Sequence, residues 1–158
     1  MTNSIFTIVL AFCFGMQIAN ASVQTDIETA NKAGKAVFLV VTEPGNADNV
    51  AAKNLGKEAQ KLYPKSTVIE MNRTDKANES LATKYRVAGM EPPLVLVIAS
   101  NGVVAGGAYY KETTAEKIVA MIPSTGKAEV LKAVNDGKSV FIVVSKKSMK
   151  KKEVLSTC

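Results

Sequence analysis

The chain has 158 residues, of which 47% are apolar, and a formal net charge of +6. That is enough apolar side chain for about one packed domain, and it excludes a globally disordered chain. Histidine and Trp are absent and aromatics are 6%, so the core is aliphatic and the usual neutral-pH acid–base group and commonest metal ligand are missing.

Residues 5–18, IFTIVLAFCFGMQI, form an apolar run that is too short to span a bilayer comfortably. Ala19-Asn20-Ala21 follows, the small-x-small pattern that fits a signal peptidase. The expectation is a cleaved secretory signal over 1–21 and an exported (periplasmic or secreted) chain with no transmembrane span after cleavage. No Lys or Arg precedes the run. Leu10-Ala11-Phe12-Cys13 approaches a lipoprotein box, but Phe12 is too large beside the cysteine. Cleavage removes Cys13 and leaves only Cys158, so the mature chain has neither an internal disulfide nor a CxxC pair.

After the leader, residues 25–33 read as a short helix with Ile27 and Ala30 on one face, stopped by Gly34. Residues 36–42, AVFLVVT, are apolar and largely β-branched, the pattern of a central strand covered on both faces. Glu43-Pro44-Gly45-Asn46 breaks it. Residues 47–62 read as an amphipathic helix with Val50, Leu55, Ala59 and Leu62 inward. A strand over 66–71 follows, then a helix over 76–87 with Ala77, Leu81, Ala82 and Tyr85 inward and Gly89 as its stop. Pro92-Pro93 introduces a third strand, 94–99. Ser100-Asn101-Gly102 signals a hairpin into a return strand over 103–109. A closing helix over 114–122 begins on a Thr114 cap. The order predicts parallel strands joined by helical crossovers, then an antiparallel hairpin, then a last helix.

This order and its punctuation resemble the thioredoxin-like fold family over roughly 22–125. The most specific stretch runs from Tyr85-Arg86-Val87-Ala88-Gly89 through Pro92-Pro93 and the apolar strand to Asn101-Gly102. The resemblance implies an α/β fold, a thioredoxin-like three-layer α/β/α sandwich with a mixed central sheet. It also implies a cis proline before the third strand, mapped to Pro93. In such proteins the redox cysteines follow the first strand, where the helix N-terminus lowers a thiol's pKa. Here those positions hold Asn46 and Asn49, and asparagine is no redox nucleophile. Asn46 can cap the helix that follows. The resemblance further implies a groove of Asn46, Asn49, Pro92 and Pro93 that takes an extended peptide in strand fashion.

The chain also repeats itself. Residues 34–42 read GKAVFLVVT and residues 137–145 read GKSVFIVVS, with six of nine positions identical at a period of 103 residues. A domain-length period predicts a second, incomplete thioredoxin-like unit over 126–158, as if the chain were a fragment. Its redox positions are Met149 and Lys152, and Cys158 falls inside its helix, where a lone thiol can pair between molecules. The charge is uneven. Residues 22–125 hold 12 Lys/Arg against 11 Asp/Glu, and residues 126–158 hold 8 against 3. Lys146, Lys147, Lys150, Lys151 and Lys152 form a basic patch able to meet an anionic surface. With no interleaved aromatics, stacking on bases is unsupported, and for an exported chain the expectation is that nucleic acid is not a partner.

Other signals are weak. Asn72-Arg73-Thr74 and Asn78-Glu79-Ser80 are glycosylation sequons. Gly102, Gly106 and Gly107 make no phosphate loop, Glu43 and Asp48 are too few for a metal site, and no cofactor pattern is present. The expectation is an exported, non-catalytic module that binds a protein or peptide. The alternatives are a relative of thiol–disulfide oxidoreductases whose redox site lies outside this chain or uses Cys158, and a basic-tail binder of anionic surfaces.

Overall fold

A computed structural model of the chain describes residues 22–142. The predicted leader, the basic patch and Cys158 lie outside the described residues. The fold is organised around β1 (Ala36–Thr42), all seven residues of which are buried. Successive strand residues face opposite sides, so β1 feeds two cores. Val37, Leu39 and Val41 pack with Ile27 and Ala30 of α1 (Val23–Lys32) and with Leu81 and Ala82 of α3 (Glu79–Lys84). Phe38 and Val40 pack with Ala52 and Ala59 of α2 (Asn49–Leu62) and with Ala115 and Ile118 of α4 (Ala115–Ala120).

The remaining strands are β2 (Ser66–Asn72), β3 (Leu94–Ile98) and β4 (Val104–Tyr109), in the order β2-β1-β3-β4. β1 and β2 are parallel, with Ala36 opposite Ser66 and Thr42 opposite Asn72. β3 runs antiparallel to both β1 and β4. This is an α/β/α sandwich on a four-strand mixed sheet, compatible with the thioredoxin-like arrangement. The expectation of successive parallel strands holds for β1 and β2, which α2 joins. It does not hold for β3, which the chain after α3 returns in the opposite direction.

Two helix faces differ from their sequence reading. On α2 the buried residues are Ala52, Gly56 and Ala59, while Val50 and Leu62 are 65% and 53% exposed. The helix lies close on the sheet. A Cβ on Gly56 would come within 3.1 Å of Val40 and 3.2 Å of Val68. Small residues therefore form the inner stripe, and larger ones are displaced to its flanks. The predicted helix over 76–87 is shorter. Lys76–Asn78 is a 3₁₀ turn opened by Asp75, whose carboxylate accepts from the Ala77 amide at 3.0 Å. Ala77 is consequently exposed, whereas Asn78 is buried and donates to Asn72 O at 3.0 Å.

Three helices end in Schellman motifs, with paired backbone bonds around a left-handed residue. In α1 that residue is Gly34 (φ 69°), and in α3 it is Arg86 (φ 57°) rather than the expected stop at Gly89. In α5 (Thr125–Asn135) it is Gly137 (φ 74°). The hairpin predicted at Ser100-Asn101-Gly102 closes through Ala99 N to Val103 O at 2.8 Å. It also anchors α5. Asn101 Nδ2 donates to Ala128 O at 2.8 Å, and Ala128 and Leu131 pack on Ala99 and Val103. Among the described residues no helix is long and apolar enough to cross a membrane.

Candidate functional site

The β1–α2 connection and the segment entering β3 meet at one end of the sheet. Breakers end β1 after Thr42, and Gly45 adopts φ 79°, which a side chain disfavours. That turn carries Asn46 back across the sheet end. Asn46 Nδ2 donates to Pro92 O at 3.0 Å, and its Oδ1 accepts from Asp48 N at 2.9 Å. Asn46 thus builds an Asx turn ahead of α2 instead of capping it. The N-cap residue is Asp48, whose side chain makes no capping bond. Asn49 Nδ2 donates to Glu43 O at 2.7 Å. The Pro92–Pro93 peptide is cis, as the resemblance implies for Pro93.

Arg73, at the end of β2, ties the two segments together. Its Nη2 pairs with Glu43 Oε2 at 2.8 Å, and its Nη1 donates to the carbonyls of Ala88 and Met90. A planar guanidinium spreads its donors over separate nitrogens and so spans these three acceptors, a reach that a compact ammonium lacks.

The structure therefore brings Asn46 beside Pro92, whereas Asn49 bonds back to Glu43, and both amide nitrogens are used internally. Residue 92 is a proline and has no N–H to offer an added strand. Asn46 already occupies one lone pair of its carbonyl. The bonding capacity that the resemblance places at this backbone is largely spent.

What stays open is a cleft of about 430 Å³, lined by Asn46, Asp48, Glu91, Pro92, Tyr110 and Lys111 among others. Asp48 Oδ1 accepts from the Tyr110 hydroxyl at 3.0 Å, and Asp48 Oδ2 meets Lys111 Nζ at 2.7 Å. The Lys111 bond, then the Tyr110 bond, hold the Asp48 carboxyl below its ordinary range. The bond to Asp48 in turn raises both the Tyr110 phenol and the Lys111 ammonium. At neutral pH the wall is an ionised carboxylate, a neutral phenol and a charged amine, with Glu91 close enough to add to the field at Lys111. Such a surface orders polar and charged groups, and it holds no activated nucleophile.

Asp48, Tyr110, Lys111 and Arg73 carry the site, and sequence reasoning did not select them as site residues. Tyr110 lies 62 positions from Asp48, and no local pattern links the two. The one available signal was Tyr109-Tyr110-Lys111 directly after the last strand, in a chain poor in aromatics. Neither the models of known protein families nor the curated proteins give a match to this chain.

Proposed function

We propose that this chain is an exported, redox-inactive thioredoxin-like module that binds a protein or peptide partner in the cleft of Asp48, Glu91, Tyr110 and Lys111. The observation that carries the reading is the state of Asn46 and Asn49. At the two positions where such a fold keeps its cysteines, both amides act as internal braces. The site is thereby converted from chemistry to structure, while the adjoining cleft keeps polar groups facing outward. Export rests on the apolar run at 5–18 and Ala19-Asn20-Ala21. The family assignment rests on element order, strand order and the Pro93 segment.

Two measurements test it. In an insulin-reduction assay the chain gives no turnover above buffer. Turnover that disappears in Cys158→Ser overturns the non-catalytic reading. Peptides selected for binding from a random library lose at least about tenfold in affinity, or about 1.4 kcal/mol, on Tyr110→Ala, and are unaffected by Leu62→Ala. Binders indifferent to Tyr110 and Lys111 remove the cleft from the proposal.

A further inference from the structure

The two ends of the repeat have opposite fates. α1 starts on Ser22 (φ −67°, ψ 152°) and closes through Gly34 N to Asn31 O and Lys35 N to Ala30 O, both 2.9 Å. α5 starts on Ser124 (φ −60°, ψ 157°) and closes through Gly137 N to Val134 O at 3.0 Å and Lys138 N to Ala133 O at 2.9 Å. The residue before each glycine has nearly the same backbone, φ −80° and ψ 6° at Ala33 against φ −79° and ψ 6° at Asp136. The likeness therefore extends from sequence to the helix and its stop. Beyond the stop it ends. Phe38 and Leu39 are fully buried in the sheet, while their counterparts Phe141 and Ile142 are 95% and 68% exposed. Residues 139–142 pair with no strand. With Val134, they make up three of the five exposed large apolar residues among those described.

A β-branched apolar run without a sheet is a strand in search of an edge. Among the described residues the sheet has two edges, and they differ. β2 carries Glu70 in its length, paired with Lys53 Nζ at 2.8 Å, and charge blunts an edge. β4 reads VAGGAY, with no charge and no proline, and bonds to β3 on one side only.

We propose that the open edge of β4 receives the strand-forming segment at Ser139–Ile142 of a second copy of this chain. Asn135 and Val104 line one cavity, so the segment emerges near the start of its own β4. Among the described residues, however, the segment pairs with no strand of its own sheet, so the occupant we propose for that edge is the segment of another copy. Donor segment and acceptor edge are different surfaces, so a mutual exchange closes as a two-fold dimer, and a one-way donation builds a ring or a chain of copies. The inference does not depend on the partner cleft, which lies at the opposite end of β4, beside Tyr109 and Tyr110.

The test is the mass of the full chain by light scattering over a range of concentrations, with amide exchange of β4 read in the same samples. The variants are Phe141→Asp and Ile142→Lys. Both residues are exposed, so neither change disturbs the sandwich, and both variants keep residues 1–21 as in the parent. The expected result is a mass that rises above the 16.8 kDa of one chain with concentration, together with slowed exchange in β4. Both effects are lost in either variant, while exchange in β1 and β3 is unchanged. A mass of one chain at every concentration overturns the proposal. So does association that both variants retain, and so does β4 protection that is independent of concentration, which signals pairing within one molecule.

Discussion

Asp48 joins a cation and a phenol, and this triad gives the molecule a testable pH response. Its carboxyl is held below the ordinary range chiefly by Lys111. A lowered acid contributes stability above its unfolded value of about 4 and loses it as the pH falls through the folded value. Lys111 and Tyr110 are raised by Asp48, so their contribution is full below about pH 10 and is lost as the pH rises through their folded values. The stability gap between the parent and Asp48→Asn is therefore widest on the plateau between these limits. It closes below about pH 4 and again above about pH 10.5. Urea titrations across that range check it, and a gap that is constant with pH removes the triad from the account. Arg73 plays the opposite part, since it holds the site by geometry. Arg73→Ala leaves the Met90 and Ala88 carbonyls and Glu43 without their donor and is expected to cost about 2–3 kcal/mol. Arg73→Lys recovers less than half, because one amine cannot span all three acceptors. Full recovery in denaturant melts would refute the bridging role. At this scale the sequence was legible where partners are local. The breakers after Thr42 and the cis bond before Pro93 could both be read. The Asp48–Tyr110 bond could not, because its partners meet only once the sheet has formed.

The elements were legible to the extent that burial follows the period of each structure. β1 was read in full because it is buried on both faces, so every residue is apolar. Misreadings arose where packing distance overrides hydrophobicity. α2 presents Ala52, Gly56 and Ala59 to the sheet because the helix approaches closely, so counting large apolar residues selected the wrong stripe. The end of α3 was misplaced for a related reason. Glycine is the usual left-handed stop, which drew attention to Gly89, whereas the chain uses Arg86 at φ 57°. The misreading carries its own prediction. Arg86 is exposed and makes no side-chain hydrogen bond or ion pair among the described residues, so Arg86→Gly relieves the Cβ strain and loses no contact. It is expected to raise stability by about 0.5–1 kcal/mol, net of the entropy glycine adds to the unfolded chain. Arg86→Ala retains a Cβ and is expected to gain nothing. The check is a higher urea midpoint at constant slope for the glycine variant alone.

For the whole molecule, the alternation of helices and strands gave the α/β/α layering, because continuous apolar strands need helices on both faces. The direction of β3 was not legible, since nothing between Val87 and Pro93 records which way the chain returns. The docking of α5 was equally hidden. Its polar anchor joins Asn101 to Ala128, 27 positions apart, and Asn101 reads locally as a turn residue. That contact divides the molecule energetically. The sheet and its four flanking helices share two large cores, whereas α5 rests on a small cluster of Ala99, Val103, Ala128 and Leu131 and on the Asn101 amide. Stability is then uneven, and α5 is the segment able to open by itself. Asn101→Ala removes the amide bond without orphaning a carbonyl inside a core, at a cost of about 1 kcal/mol. The loss falls on α5, whose amides exchange about fivefold faster, while those of β1 and β3 keep their rates. If exchange quickens equally in the sheet, α5 belongs to the same cooperative unit as the sandwich. If it quickens in neither, the apolar cluster alone holds the helix and Asn101 serves only its turn.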